Sequence, residues 1–533
     1  MWQLPLFLLF ASAGMAQHSH KAPGEKPATL LPGMGKHQHR IATSIADAQK
    51  FFDQGLNMRY GFNRHEAWRS FKRASELDPR ALMPRVGMAL SLGPHVNMDL
   101  DGDMNLKEAC AAIREARNLR AAAPAREQAW FDAAAALCPE YKPAEYTPAV
   151  RRLMEAHPDD LDAATLYAES LMIPVRWRWF RPDGTPNTGT EEAIRVLEAV
   201  LRRNPEHPGA NHFFIHVVES STSPERAIPS AQRLMGIVPG AGHLVHMPGH
   251  IWMLMGDFEL VATTNERAVQ VDREYFQRTG VQSGAYPGYF VHNLHFVAVA
   301  RQMQGNWKLA IQSANEVVKE ALPFVEEMPG MVDAFVPMPI FAMLRFSRWD
   351  DILALPAQHP KLPATQAVWH MARAITLNAK GRGAEAAKEA EAFEAARAKV
   401  PADWVWLNNK ALDVLAVAAE VLRARLAPSD DAALPHWRRA IELQDQLVND
   451  EPPPFFYPVR ESLGGALLRA SRPAEAEAAF RDGIRRSPRN GRMLFGLLES
   501  LKAQNKTDAA ELVQREFQEA WKRADVTLRI ADL

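Results

Sequence analysis

The chain of 533 residues carries 62 Lys plus Arg against 63 Asp plus Glu, so it lacks the basic surplus that nucleic-acid or acidic-membrane binding exploits. Its 47% hydrophobic residues are ample for a core, and only 2 Cys exclude a disulfide-dense scaffold or a Cys-rich zinc module. A neutral globular or solenoidal protein with no nucleic-acid partner is expected.

Residues 1–16 read as a secretory signal. The apolar run 4–11 is too short to span a bilayer, and Ala13-Gly14-Met15-Ala16 offers small residues for cleavage after Ala16, although no Lys or Arg precedes the run. No later stretch is long and apolar enough for a transmembrane helix, so the mature protein is expected to be periplasmic or secreted. Residues 17–44 form a mobile-looking arm with His18, His20, His37 and His39. From about Ile45 nearly every stretch has helical periodicity, broken by Gly, Asn-Pro or Asp-Pro, and β-branched alternation is almost absent. An all-α fold follows. Cys110 lies in, and Cys138 just beyond, the Ala-rich helical stretches 106–120 and 125–136, which an antiparallel hairpin would fold so that the two Cys come nearly opposite each other. A stapling disulfide suits an oxidising compartment, and two small buried thiols are the alternative.

Two segments define the architecture. Gly55, Met58, Ala67, Phe71, Ala74 and Pro79 near one end, and Leu463, Gly464, Leu467, Ala476, Phe480 and Pro488 near the other, have the spacing of the tetratricopeptide repeat. Small residues let two helices approach, large ones fill the gap between them, and Pro ends the second helix. One such hairpin cannot bury its apolar face alone, so hairpins stack into a superhelical solenoid with a concave groove. Three blocks are expected: 45–205 with an insertion near 174–189, a His-rich block 206–324, and 325–525.

The chain thereby resembles secreted bacterial tetratricopeptide-repeat proteins over most of 45–525. The segments LLPGMGKHQH, HLVHMPGHI and VHNLHF resemble a poorly characterised, His-rich subgroup of them. That resemblance implies the solenoid and supplies no reaction.

Seven of the 18 His fall within 212–295: His212, His216, His243, His246, His250, His292 and His295. His212 to His246 and His216 to His250 are each one repeat length of about 34 residues. His243 to His292 and His246 to His295 are one repeat plus about 15 residues, placing an insertion within 273–289. The same positions of three successive first helices are thus refilled with His. Offsets of three, four and seven share one helical face, and neighbouring helices lie about 8–10 Å apart, so these imidazoles are expected to converge in the groove on metal. Pro248-Gly249 predicts a bend near His250.

An all-nitrogen set disfavours calcium and magnesium and suits a transition metal. Copper is favoured, with zinc or iron as alternatives, because of the oxidising compartment and nearby Met247, Met253 and Met255. Two ions with about three His each would use the count best, and His37 and His39 are candidate additional ligands folded over the groove. Asn211, Glu219 and Asn293 are candidate partners that fix imidazole tautomers. Trp252, Tyr286, Tyr289 and the Trp177/Trp179 insertion are candidates for a wall or lid, Arg460 and Glu461 for peptide contacts or inter-repeat pairing, and His95 for a cap. His65, His157, His207, His359, His370 and His436 read as surface residues. The function expected is a metalloprotein, oxidative or hydrolytic if catalytic. The alternative is a non-catalytic scaffold whose groove takes a peptide, protein or small molecule.

Overall fold

Short polar residues open the hairpins. Asn63, Asn105, Asp160, Asp257, Asn306 and Ser429 each accept a backbone N–H from the first turn of the helix they precede, which satisfies one of the amides a helix start leaves without a partner. In the computed structural model, which describes residues 25–97, 105–181, 183–281 and 284–533, helices so started pair as antiparallel neighbours along the chain. The expected signal segment 1–16, with His18 and His20, lies outside the described residues.

The repeat spacing has a direct steric cause. The ring of Phe71, from the helix Arg64–Leu77, is clasped between Gly55 of the helix Ala46–Tyr60 and Gly87 of the helix Met83–Leu92. A Cβ on those glycines would lie 2.8 and 2.6 Å from the ring. Phe480 is held in the same way between Gly464 and Gly496, closer still. Both rings are about 1% exposed or less. Gly464→Ala is therefore expected to cost about 1–3 kcal/mol by overpacking, read from a denaturant midpoint. A loss below about 0.5 kcal/mol would show that the ring yields freely.

The result is all-α, a solenoid of tetratricopeptide-type hairpins. The strand pairing among the described residues is one two-residue ladder, Val405–Trp406 with Asn409–Lys410, and an isolated bridge between Phe180 and Pro186. No described helix is long and apolar enough to cross a membrane. Cys110 and Cys138 are joined in a disulfide, Cα atoms 5.6 Å apart.

Three features shape the centre. Pro248 has no N–H to donate, and the first helix there is split into Gly242–His246 and Pro248–Leu254, the expected bend. Part of the extra 15 residues expected within 273–289 lengthens the helix Phe258–Thr279, which Gly280 ends in the left-handed region at φ +72° before Tyr286–Met303 begins. The third is the described part of the arm, 25–44, which packs instead of swinging free. Lys26 N donates to Thr279 O, Leu31 N to Gln54 Oε1 and His39 N to Asp53 Oδ1, at 2.7–3.0 Å.

Candidate metal centre

The helix Pro208–Glu219 carries His212 and His216 one turn apart, and Glu219 at its end. The split helix beside it carries His243, His246 and His250, and the helix Tyr286–Met303 carries His292 and His295. Six of these seven imidazoles, all but His295, form one continuous run. Ring centroids are 4.9 Å apart for His212–His216, 5.0 Å for His212–His243, 5.4 Å for His243–His246, 4.8 Å for His246–His250 and 5.0 Å for His246–His292. Within the run, His212, His216 and His243 bring one ligand atom each to within 4.8 Å of one another, and so do His246, His250 and His292.

The sites are interior, where an open groove was expected. His212, His216, His243, His246 and His250 are all buried, and His292 is half-buried. Phe62, in the turn after the first helix, lies 4.4 Å from His212 and 5.0 Å from His243. Trp177 of the insertion stands edge-on to His216 at 5.6 Å, Tyr289 to His243 at 4.7 Å, and Phe296 to His246 at 4.7 Å. The wall is thus aromatic, as anticipated for Trp177 and Tyr289.

The outer hydrogen bonds decide what the rings can do. His212 Nδ1 donates to the carbonyl of Tyr60 at 2.5 Å, and His216 Nδ1 to Glu219 Oε1 at 3.1 Å. Each Nδ1–H leaves Nε2 with its lone pair, and neither Nε2 has a hydrogen-bond partner; both nitrogens of His243 also lack one. His246 Nδ1 is held by Asn265 Oδ1 at 2.6 Å, an approach open because a Cβ on Gly249 would lie 2.5 Å from that amide. His250 Nδ1 donates to Glu219 Oε2 at 2.8 Å and lies 3.2 Å from Glu451 Oε2. The Nε2 atoms of His246 and His250 face each other at 2.8 Å, so one proton bridges them.

Glu219 therefore links both sets. Against its burial, His250 and then His216 hold its carboxyl below the usual range. Burial and then Glu219 push Glu451 up, while the two carboxylates raise His250, despite burial, to about 10. Burial drives His212, His243, His246 and His292 well below the ordinary imidazole value, so they are neutral, the form that ligates metal.

His295 stands apart, its ring 6.5 Å from His292 and 5.5 Å from Phe335. Burial lowers it to about 4. A depressed histidine contributes stability that is present above its unfolded value near 6.5 and is lost as pH falls, here about 3 kcal/mol by pH 4. Buried His95, also lowered well below 6.5, has the same sign. The metal-free melting temperature should fall between pH 6.5 and 4, less steeply for His295→Phe; identical slopes would contradict this.

The Asn candidates serve elsewhere. Asn211 Nδ2 donates to the carbonyls of Pro205 and His207, and Asn293 Nδ2 to Asp272 Oδ2. Neither orients an imidazole by those bonds; Asn265, the Tyr60 carbonyl and Glu451 are the partners that sequence reasoning missed. Glu461 pairs with Arg345 and Arg492, the inter-repeat reading.

His37 and His39 form a separate cluster around Asp162, with His207, which is wholly buried although it reads as a surface residue. Its Nδ1 accepts the amide of Ala210, so the proton sits on Nε2, 3.2 Å from Asp162 Oδ1. His39 Nε2 accepts from Arg126 at 2.9 Å, so Nδ1 donates to Asp162 Oδ2 at 2.8 Å. His37 Nε2 and Tyr60 Oη donate to Asp162 Oδ1 at 2.9 and 2.6 Å. Protons point inward here, where the Nε2 lone pairs of His212 and His216 point inward in the other cluster. The Asp162 cluster is arranged as a hydrogen-bond hub.

No family model and no curated protein matches the chain. Among solved structures it is similar to yeast Tom70, at 10% identity and TM-score 0.29 over 88% of this chain and 90% of that one. It is also similar to a human IFIT1 dimer with m7Gppp-AAAA, at 12% identity and TM-score 0.32 over 90% and 91%.

Proposed function

We propose that this protein is an exported metalloprotein holding two transition-metal ions, copper favoured over zinc or iron, on the sets His212/His216/His243 and His246/His250/His292, and that it works as a metal-dependent oxidoreductase. The observation that carries this reading is the unpartnered, buried ring nitrogens of His212, His216 and His243, which converge, the tautomers of His212 and His216 set by groups behind them. A buried polar atom without a partner costs about 1–3 kcal/mol, a cost that a bound ion would offset. The disulfide supports export, since such bonds persist in oxidising compartments.

Three protein nitrogens per ion leave a position open, as a catalytic metal requires. An all-imidazole donor set in an oxidising compartment favours copper. The burial of the imidazoles favours an ion over an extended peptide as their partner.

Titrating chelator-stripped protein with copper(II) tests the reading. Saturation near two equivalents is expected, with nitrogen hyperfine structure in the electron paramagnetic spectrum, falling to near one in His212→Ala. Uptake without saturation, or the same stoichiometry and spectrum in a His212→Ala, His246→Ala variant, would refute it.

A further inference from the structure

Beside the second imidazole set lies a cavity of about 340 Å³, in the range of small-molecule sites. Its lining includes seven aromatic rings and three methionines, among them Met253, Met338, Phe335 and Phe341. Phe341 stacks on Phe456 at 4.4 Å and 9°. Met253 is three residues from His250, and His295, one turn beyond His292, stands in the same wall. His295 is 8% exposed.

The charged groups around the cavity are already satisfied. Arg460 is held by Asp445 and Asp482, Arg486 approaches Asp445 at 3.8 Å, and Asp450 accepts from Asn408 and Asn409. A charged ligand would enter without a counter-ion and bear the desolvation cost of an unpaired charge. A flat apolar molecule would instead gain burial against rings and sulfur, and a single hydroxyl could pair with His295.

We infer that this cavity binds an uncharged aromatic molecule of about two fused rings bearing one hydroxyl, seated on His295. As a statement about substrate it rests on the metal centre proposed above; binding itself does not.

The uncharged probe N-phenyl-1-naphthylamine, with its sulfonated analogue 8-anilinonaphthalene-1-sulfonate as the charged comparison, tests this by fluorescence. The parent should bind the uncharged probe saturably at one equivalent and the sulfonate at least tenfold more weakly. Ala334→Trp, which fills the cavity, should lose probe binding at unchanged metal content and melting temperature. 2-Naphthol should displace the probe better than naphthalene, and that preference should vanish in His295→Phe. His212→Ala, His246→Ala should still bind the probe, which separates failure of the metal reading from failure of this one. No saturable binding in the parent, equal affinity for the sulfonate, full binding in a folded Ala334→Trp, or a naphthol preference that survives His295→Phe would each overturn the inference.

Discussion

Glu219→Gln is expected to weaken ion binding by about ten- to a hundredfold at one of the two sets, the usual effect of losing a partner behind a ligand. One carboxylate now accepts from His216 with one oxygen and from His250 with the other. An amide of the same shape keeps only one acceptor, so its NH₂ must face one imidazole. That ring would then move its proton to Nε2, the atom that should ligate. Competition with a chelator of known affinity measures the effect, and unchanged affinity at both sets would show that Glu219 does not hold the imidazoles in their ligating form. Glu219→Ala should add a folding penalty of about 3–5 kcal/mol in the metal-free chain, because His250 loses its nearer carboxylate in the interior.

Asp162→Ala is expected to release the arm and cost at least about 3–5 kcal/mol, since it strands the donors of His37, His39, His207 and Tyr60 in a buried site. The clamp also has a pH window. Despite burial, the charge and hydrogen bond of Asp162 raise His37 above 6.5, so its contribution is full below that value and is lost as pH rises through the raised one. Against burial, His37 and the bonds from His207, His37 and His39 hold Asp162 below 3.8, so its contribution is present above about pH 4 and lost in acid. Proteolysis of the arm should therefore be slowest between about pH 4 and 6.5. Cleavage as fast in the parent as in Asp162→Ala would contradict the clamp.

Local periodicity made the fold and most of the imidazole run legible. The glycine–phenylalanine clasps at Phe71 and Phe480 are repeat-internal, and the 34-residue steps among the histidines follow from stacking identical first helices. What was not legible depends on the array curling back on itself. Glu451 meets His250 across some two hundred residues, and Phe62 and the Tyr60 carbonyl reach His212 from the first hairpin. No spacing rule encodes such contacts. His207 was misread because a residue after an Asn-Pro pair belongs to a surface loop in most helical arrays, whereas here its ring caps a buried helix and turns to Asp162. His37 and His39 meet Asp162 in place of the central imidazoles because the arm runs along the first helix and not across the centre.

The most direct measurement is elemental analysis of the protein purified without added metal or a histidine tag, beside the His216→Ala, His250→Ala variant, which removes one ligand from each set. About two equivalents of copper in the parent and none in a folded variant is the predicted result. Equal metal in both, or none in the parent even after reconstitution with copper, zinc and iron in turn, would contradict the centre.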